Sequence, residues 1–445
     1  MPKIIHRKKR LSSFKLIVLG FAGVIVLGAL ILMLPFSSTA GVVTPFHEAL
    51  FTSTSAVCVT GLVVQDTGSY WSAFGQTVIL LLIQIGGLGV VTVAALFAML
   101  SGRKISLMQR STMQDAISAP KVGGIVRLTR FIVRGTFLIE LIGMIVMLPT
   151  FCGNYGFKGI WMAAFHSVSA FCNAGFDILG TAENKYPSLT GYIGNPAINI
   201  AIMLLIIVGG IGFLTWEDIY TNKWHFKKYR MQSKVILVTT AILIIVPAVF
   251  FFFCDFTGLP LAERILASLF QSVTPRTAGF NTADLPAMTG SSKAIMTMLM
   301  LVGGSPGSTA GGMKTTTLAV LILSAFSVCR KKDDAEVCGR RIDGSAVKNA
   351  AAVAVMYFLL FFVGGIVIST AEGLPLSTCL YETASAVGTV GLTLGITPQL
   401  GVLSQLILIV LMYLGRVGGL TLIYAAVSNK NQSGAKLPLE KITVG

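Results

Sequence analysis

The chain has 445 residues, 54% hydrophobic and 12% charged, a charged share about half that of an average soluble domain. Its mean hydropathy of +0.80 excludes a soluble globular enzyme or binding module and indicates a polytopic membrane protein. The formal charge of +16 raises nucleic acid as a partner, so its distribution over the spans has to be counted.

Residues 1–15 are a basic tail with Lys3, Arg7, Lys8, Lys9, Arg10 and Lys15. The apolar run 16–34 stops at Pro35; it is too long for a signal-peptide core and no small-residue cleavage site follows, so it reads as a retained first span. Pro45-Phe46-His47-Glu48-Ala49-Leu50-Phe51 then opens an apolar segment of about a dozen residues, too short to cross a bilayer and suited to a re-entrant half-helix. It ends in Ser55-Ala56-Val57-Cys58-Val59-Thr60-Gly61-Leu62, and a second span, 75–100, returns to Arg103-Lys104.

This unit of span, half-helix, glycine motif and span recurs. The second copy uses 135–151, 160–172 and 196–216, closed by Glu217-Asp218; the third uses 235–253, 261–273 and an interrupted 294–328; the fourth uses 350–369, 376–386 and 402–427. The repeats are bounded at 16–101, 131–220, 233–330 and 346–427, with a short polar tail at 428–445. Their motifs are Ser169-Ala170-Phe171-Cys172-Asn173-Ala174-Gly175-Phe176, a looser Ser272-Val273-Thr274-Pro275-Arg276-Thr277-Ala278-Gly279-Phe280, and Ser385-Ala386-Val387-Gly388-Thr389-Val390-Gly391-Leu392. The glycines at 61, 175, 279 and 391 are 114, 104 and 112 residues apart, a regularity that a lone Thr-Val-Gly would not carry.

Each unit crosses twice, so the copies are parallel and the expected fold is an all-α membrane protein. It has eight transmembrane helices and four re-entrant half-helices around one pore. Half-helices entering from outside aim their negative C-terminal ends at a shared axis, and the strands behind them line it with carbonyls. Such backbone is tolerated at membrane depth only if buried or facing water. The expected cation-binding residues are Val59, Thr60, Gly61, Asn173, Ala174, Gly175, Thr277, Ala278, Gly279, Thr389, Val390 and Gly391, by analogy with potassium-channel filters.

With the N-terminus inside, the inner segments hold 27 Lys/Arg against 8 Asp/Glu, and the outer segments five against nine. The positive-inside bias accounts for the excess charge, so no nucleic-acid partner is required. Seven scattered cysteines suggest no disulfide framework and no zinc site.

The returning spans carry Gly86-Gly87-Leu88-Gly89, Gly209-Gly210-Ile211-Gly212 and Gly415-Arg416-Val417-Gly418, which read as close-packing glycines. The third copy has Gly303-Gly304-Ser305-Pro306-Gly307-Ser308-Thr309-Ala310-Gly311-Gly312-Met313-Lys314 instead; five glycines and a proline forbid a straight helix and predict an unwound loop. Arg416 stands where the other copies have glycine, so symmetry places it on the axis below the filter, forming a gate with 303–312 and Lys314. Lys314 reads otherwise as a snorkelling side chain, Glu140 as a structural pair near the inner third of its span, and Arg276 as a strut behind the filter.

These features resemble the Trk/Ktr/HKT superfamily of cation translocators over residues 14–427: the four half-helix glycines, Thr277-Ala278-Gly279-Phe280-Asn281, the Gly/Ser/Thr loop and Gly415-Arg416. Eight spans beginning at the first repeat look most like the bacterial Ktr-type membrane subunit. The resemblance implies potassium (K+) uptake across the bacterial plasma membrane, often stimulated by sodium (Na+), by a homodimer with one pore per protomer and both termini cytoplasmic. It also implies a cytoplasmic ring of Rossmann-type nucleotide-binding regulatory subunits; the chain itself carries no nucleotide-binding motif and no cofactor is expected in it. Cys58 departs from the small polar residue common there. Two other classes remain: a coupled symporter, which needs midplane carboxylates where only Glu140 is available, and a membrane enzyme, for which no nucleophile–base or metal constellation is present.

Overall fold

The computed structural model describes residues 12–101, 105–117 and 123–419, with 421 and 440. The basic residues at 3–10, Arg103-Lys104 and nearly all of the 428–445 tail lie outside the described residues. The first copy comprises α1 (Ser13–Leu32), α2 (Phe46–Val57), α3 (Ala73–Leu88) and α4 (Val90–Leu100). After α5 (Leu107–Ile117), the second has α6 (Ile125–Tyr155), α7 (Lys158–Phe171), α8 (Pro196–Gly210) and α9 (Phe213–Asn222). The third has α10 (Met231–Cys254), α11 (Leu261–Val273), α12 (Gly290–Leu301) and α13 (Thr315–Cys329). A hairpin of β1 (Glu336–Val337) and β2 (Arg340–Arg341) precedes the fourth, α14 (Gly344–Glu372), α15 (Leu376–Gly388) and α16 (Val402–Val417).

Local chemistry sets the starts of these helices. Pro45, Pro260 and Pro375 stand immediately before α2, α11 and α15, where a ring-fixed φ favours the first turn and the absent N–H costs nothing. Ser72, Asn195 and Thr289 cap α3, α8 and α12 with side-chain oxygens.

Helices α1, α6, α10 and α14 are each long and apolar enough to cross a bilayer. Only 28–33% of the residues in their most apolar stretches are buried, and Leu19, Leu27, Leu138, Ile245 and Val355 point outward. With the backbone satisfied inside each helix, an apolar outer face is what lipid requires. The chain is a helical membrane protein.

Two returning spans differ from the expected straight helices. The α3–α4 pair bends by 96° at Gly89 and the α8–α9 pair by 98° around Gly212. Both glycines have positive φ, +85° and +90°, as does Gly418 at +86° where α16 ends. The close-packing reading holds for the first glycine of each motif: a Cβ on Gly86, Gly209 or Gly415 would run into the carbonyl of Val57, Phe171 or Val387 at the end of a half-helix. The last glycine breaks the helix, which packing alone does not explain. The third returning span is interrupted between Leu301 and Thr315, as its composition predicts.

The copies close on themselves. Helix α3 packs on α7, α8 on α11, α12 on α15, and α16 on α2, so each returning helix meets the half-helix of the next copy.

Candidate functional site

A repeated hydroxyl ties each half-helix to its long helix. Ser53 Oγ donates to Ile25 O at 2.7 Å, Ser167 to Glu140 O at 2.5 Å, Ser272 to Ile244 O, and Thr383 Oγ1 to Phe361 O at 3.1 Å. Three residues beyond each acceptor stand Gly28, Gly143, Pro247 and Gly364; glycine leaves room for the hydroxyl, and proline, lacking N–H, frees a carbonyl of the preceding turn.

A second hydroxyl fastens the strand that follows. Ser55 Oγ and Ser385 Oγ accept the N–H of Gly61 and Gly391, each at 3.0 Å, Ser169 Oγ donates to Phe176 O at 2.8 Å, and Thr274 Oγ1 donates to Phe280 O. This corrects the alignment of the third motif: Thr274, not Ser272, is the counterpart of Ser55, and the third copy is one residue shorter. Aligning the motif on its first serine hides this. Counting back from the glycines with one gap reveals it.

The strands share one conformation. Val59, Asn173, Thr277 and Thr389 have φ of +52°, +58°, +73° and +52°, and Gly61, Gly175, Gly279 and Gly391 have +94°, +67°, +80° and +95°, with no positive φ between them. Alternating the sign of φ turns successive carbonyls toward the same side instead of opposite sides, at a cost that Val and Thr accept only where the surroundings impose it. A Cβ on Gly61 would meet Ala174 O, on Gly175 it would meet Ala278 O, on Gly279 Val390 O, and on Gly391 Thr60 O. The four copies form one closed circuit. A circuit of backbone oxygens of this kind can replace the hydration shell of an alkali cation.

On one side of the circuit, all four glycines line a single cavity of about 230 Å³ together with Asp66 and Asp177. Asp66 is spent on structure, accepting from Ser69 N and Tyr186 N at 2.7 and 2.9 Å. Asp177 accepts from Leu179 N at 3.2 Å; burial pushes its carboxyl up to about 7, against the pull of that N–H and of its own, with Asp66 adding to the rise. Sequence reasoning misses both aspartates, although Asp177 follows its glycine by two residues. Glu382, fully buried on α15, holds the fourth strand by accepting from Thr393 Oγ1, Leu394 N and Thr397 Oγ1 at 2.5, 3.0 and 2.8 Å.

On the other side the broken helix ends supply carbonyls that no helical N–H uses, and the loop is built on them. Ser305 N and Thr309 N donate to Gly210 O and Gly209 O at 2.9 and 3.2 Å, and Gly312 N donates to Gly415 O at 3.2 Å. Phe213 N, freed at the start of α9, donates to Gly307 O at 2.8 Å. Arg416 reaches Gly86 O, Gly87 O and Thr309 O, joining the first, third and fourth copies beneath the strands. The loop's neck is closed by Gly303 N to Met313 O at 2.8 Å and Thr315 N to Gly304 O at 3.0 Å. Lys314 does not snorkel; it turns back to Ala310 O at 2.8 Å and Gly311 O at 3.4 Å. Both cations line a cavity of about 290 Å³ below the loop.

The remaining buried charges lie off this line. Glu140, midway along the 31-residue α6, accepts from Gln84 Nε2 at 3.0 Å. Arg276 sits behind the third strand and reaches Thr240 Oγ1 on α10 at 3.4 Å, the position of a strut. Cys58 is a buried cap of α2 ahead of the first strand.

Known proteins match the chain over nearly its whole length. A family model described as "TrkH: Cation transport protein" covers residues 22–434. The chain belongs to the TrkH cation transport family. It is 39% identical over 450 residues to the potassium/sodium uptake protein NtpJ of Enterococcus hirae, covering 98% of each chain. It is 36% identical over 444 residues to the Ktr system potassium uptake protein B of Bacillus subtilis, covering 98% and 97%, and 33% identical over 419 residues to that of Vibrio alginolyticus, covering 92% and 90%. In fold it matches the crystal structure of the potassium transporter TrkH from Vibrio parahaemolyticus with a TM-score of 0.75 at 19% identity, over 96% of this chain and 87% of that one.

Proposed function

We propose that this TrkH-family chain takes up K+ through one pore made by its four copies. Two spans per copy give eight crossings, with both termini cytoplasmic and the half-helices entering from outside. The observation that carries the reading is the closed circuit of Gly61, Gly175, Gly279 and Gly391, each against the carbonyl before the next copy's glycine. The circuit's carbonyls take the place of the cation's hydration water. Val59, Asn173, Thr277 and Thr389 form its inner edge.

The 303–312 loop with Arg416 and Lys314 closes the path below. A positive charge at that depth opposes cation passage because the surroundings screen it poorly. A closed state is needed, since each K+ entering gains roughly 2.3 kcal/mol per 100 mV of inside-negative potential. The chain works in the bacterial plasma membrane as a homodimer, one pore per protomer. A ring of nucleotide-binding subunits on the cytoplasmic side moves the loop through the basic inner segments. Na+ stimulates uptake or follows K+, a reading favoured by the name of the Enterococcus relative.

The test is complementation of a bacterium lacking potassium uptake, at limiting K+, with and without Na+. Growth restored by the chain with the partner subunit, and lost with Gly391→Ser, is expected; normal growth of that variant would remove the circuit from the pathway.

A further inference from the structure

Thr309 is fully buried, and every polar atom it has is engaged. Its N–H donates to Gly209 O and its carbonyl accepts from Arg416. Its Oγ1 donates to Phe171 O at 3.1 Å and accepts from Asn173 Nδ2 at 3.1 Å. These two bonds fix each other's direction. A hydroxyl has one proton, and Thr309 donates it to the last carbonyl of α7, so Asn173 must present its amide nitrogen.

That leaves Asn173 Oδ1 buried and without a partner. Asn173 opens the second strand at the position that Val59, Thr277 and Thr389 hold in the others, all four with positive φ. Thr277 Oγ1 and Thr389 Oγ1 are also buried and unpartnered. The same loop covers both: a Cβ on Gly303 would lie 3.1 Å from Thr277 Cγ2, and one on Gly311 would collide with Thr389. Three of four corners thus carry an idle oxygen and the fourth, Val59, is apolar. Buried polar atoms are ordinarily paired, and three idle oxygens at equivalent positions of one circuit are of the kind an alkali cation takes as ligands.

We propose that Thr309 is a positioning residue that acts through Asn173 to couple the loop to this inner, three-oxygen cation site. Seating the loop and binding a cation at the inner site then share one hydrogen bond. Linkage makes the effect reciprocal: loop position alters the site's preference among cations, and the cation bound alters how firmly the loop is seated. This rests on the reading of the loop as the gate. It goes beyond it by naming the residue that carries gate position to the filter.

The test uses the full-length protein in liposomes with a potassium gradient, reading basal K+ uptake and the ratio of K+ to Na+ uptake. Thr309→Val keeps the shape and both backbone bonds but removes the hydroxyl. It is expected to raise basal uptake and shift the ratio by roughly fivefold, the effect of losing about one hydrogen bond. Thr309→Ser should behave as wild type. Asn173→Gly, which suits the positive φ and removes the latch from the other side, should shift the ratio as well, and the double variant should add nothing further. Asn173→Gly also keeps the test decisive if Thr309→Val yields no protein. A Thr309→Val that changes uptake at an unchanged ratio, or fully additive effects, overturns the coupling. Loss of the gate reading shows differently: deleting Ser305–Gly311 would then leave basal uptake unchanged.

Discussion

Arg416 and Thr309 are joined across one side of the carbonyl circuit, guanidinium to backbone oxygen, and no carboxylate lies within ion-pair distance of Arg416 among the described residues. Its partners are three carbonyls, from Thr309 and from the end of α3. The charge is therefore held in place without being neutralised, which suits a barrier to cations. On the proposed reading, removing it takes away both the barrier and the loop's tie to the first copy. Hydrogen bonds to charged groups contribute about 1.5–3 kcal/mol each, so Arg416→Ala should raise basal K+ uptake into liposomes by roughly tenfold or more. Arg416→Lys keeps the charge but cannot span acceptors on two copies with one planar fork, and should lie between. Uptake at or below wild type in both, with protein intact, would separate Arg416 from the gate.

The circuit glycines make a second prediction. Gly391 has φ of +95°, and a Cβ there would overlap Thr60 O and lie 3.0 Å from Gly61 Cα. The neighbour is backbone and cannot step aside without breaking the circuit. Gly391→Ser, or Gly61→Ser at the adjoining corner, should therefore lower the preference for K+ over Na+ at near-normal expression. Measured flux ratios unchanged from wild type would remove these positions from the filter.

How much of this the sequence reveals depends on what kind of signal each element leaves. The half-helices are legible almost to the residue: α11 occupies Leu261–Val273 as expected, because proline starts it and the glycine motif ends it. The unwound loop is legible from its composition. The bends at Gly89 and Gly212 are not, because Gly-Gly-apolar-Gly is equally at home in a straight packed helix. What decides for a bend is the set of distant acceptors and donors it frees: Arg416 for Gly86 O, Ser305 N for Gly210 O, Gly307 O for Phe213 N. The two aspartates over the glycines are hidden for a different reason. A carboxylate after a glycine turn leaves no pattern until four strands are brought around one cavity.

Topology gives a third prediction. Phe157 between α6 and α7 is 93% exposed, and Lys185, on the segment after the second strand, is also exposed. If α7 is re-entrant, both face the outside. Single cysteines introduced at Phe157 and Lys185, in a background with the seven native cysteines replaced, should react with an impermeant maleimide added to whole cells. Labelling of one only after lysis would contradict a half-helix and make α7 a crossing span.

The last prediction follows from Asp177 and takes the cavity it lines as the outer mouth of the proposed path. It lines the cavity over the four glycines. Its environment contains Asp66, held by Ser69 and Tyr186, and the Leu179 N–H, but no cation among the described partners. Burial, opposed by that N–H and reinforced by Asp66, raises its carboxyl to about 7. A raised carboxyl is neutral below that value and ionised above it, so the mouth gains one negative charge as the outside pH passes upward through about 7. A negative charge at the head of a narrow path raises the local cation concentration. Uptake at subsaturating K+ should therefore fall on acidifying the outside from about pH 8 to 6, mainly through KM, while uptake at saturating K+ changes little. Asp177→Asn keeps the shape and fixes the charge at zero. It should show the low-pH behaviour at every pH, and its KM should no longer vary across that range. A pH-dependent KM that persists unchanged in Asp177→Asn would assign the titration to another group.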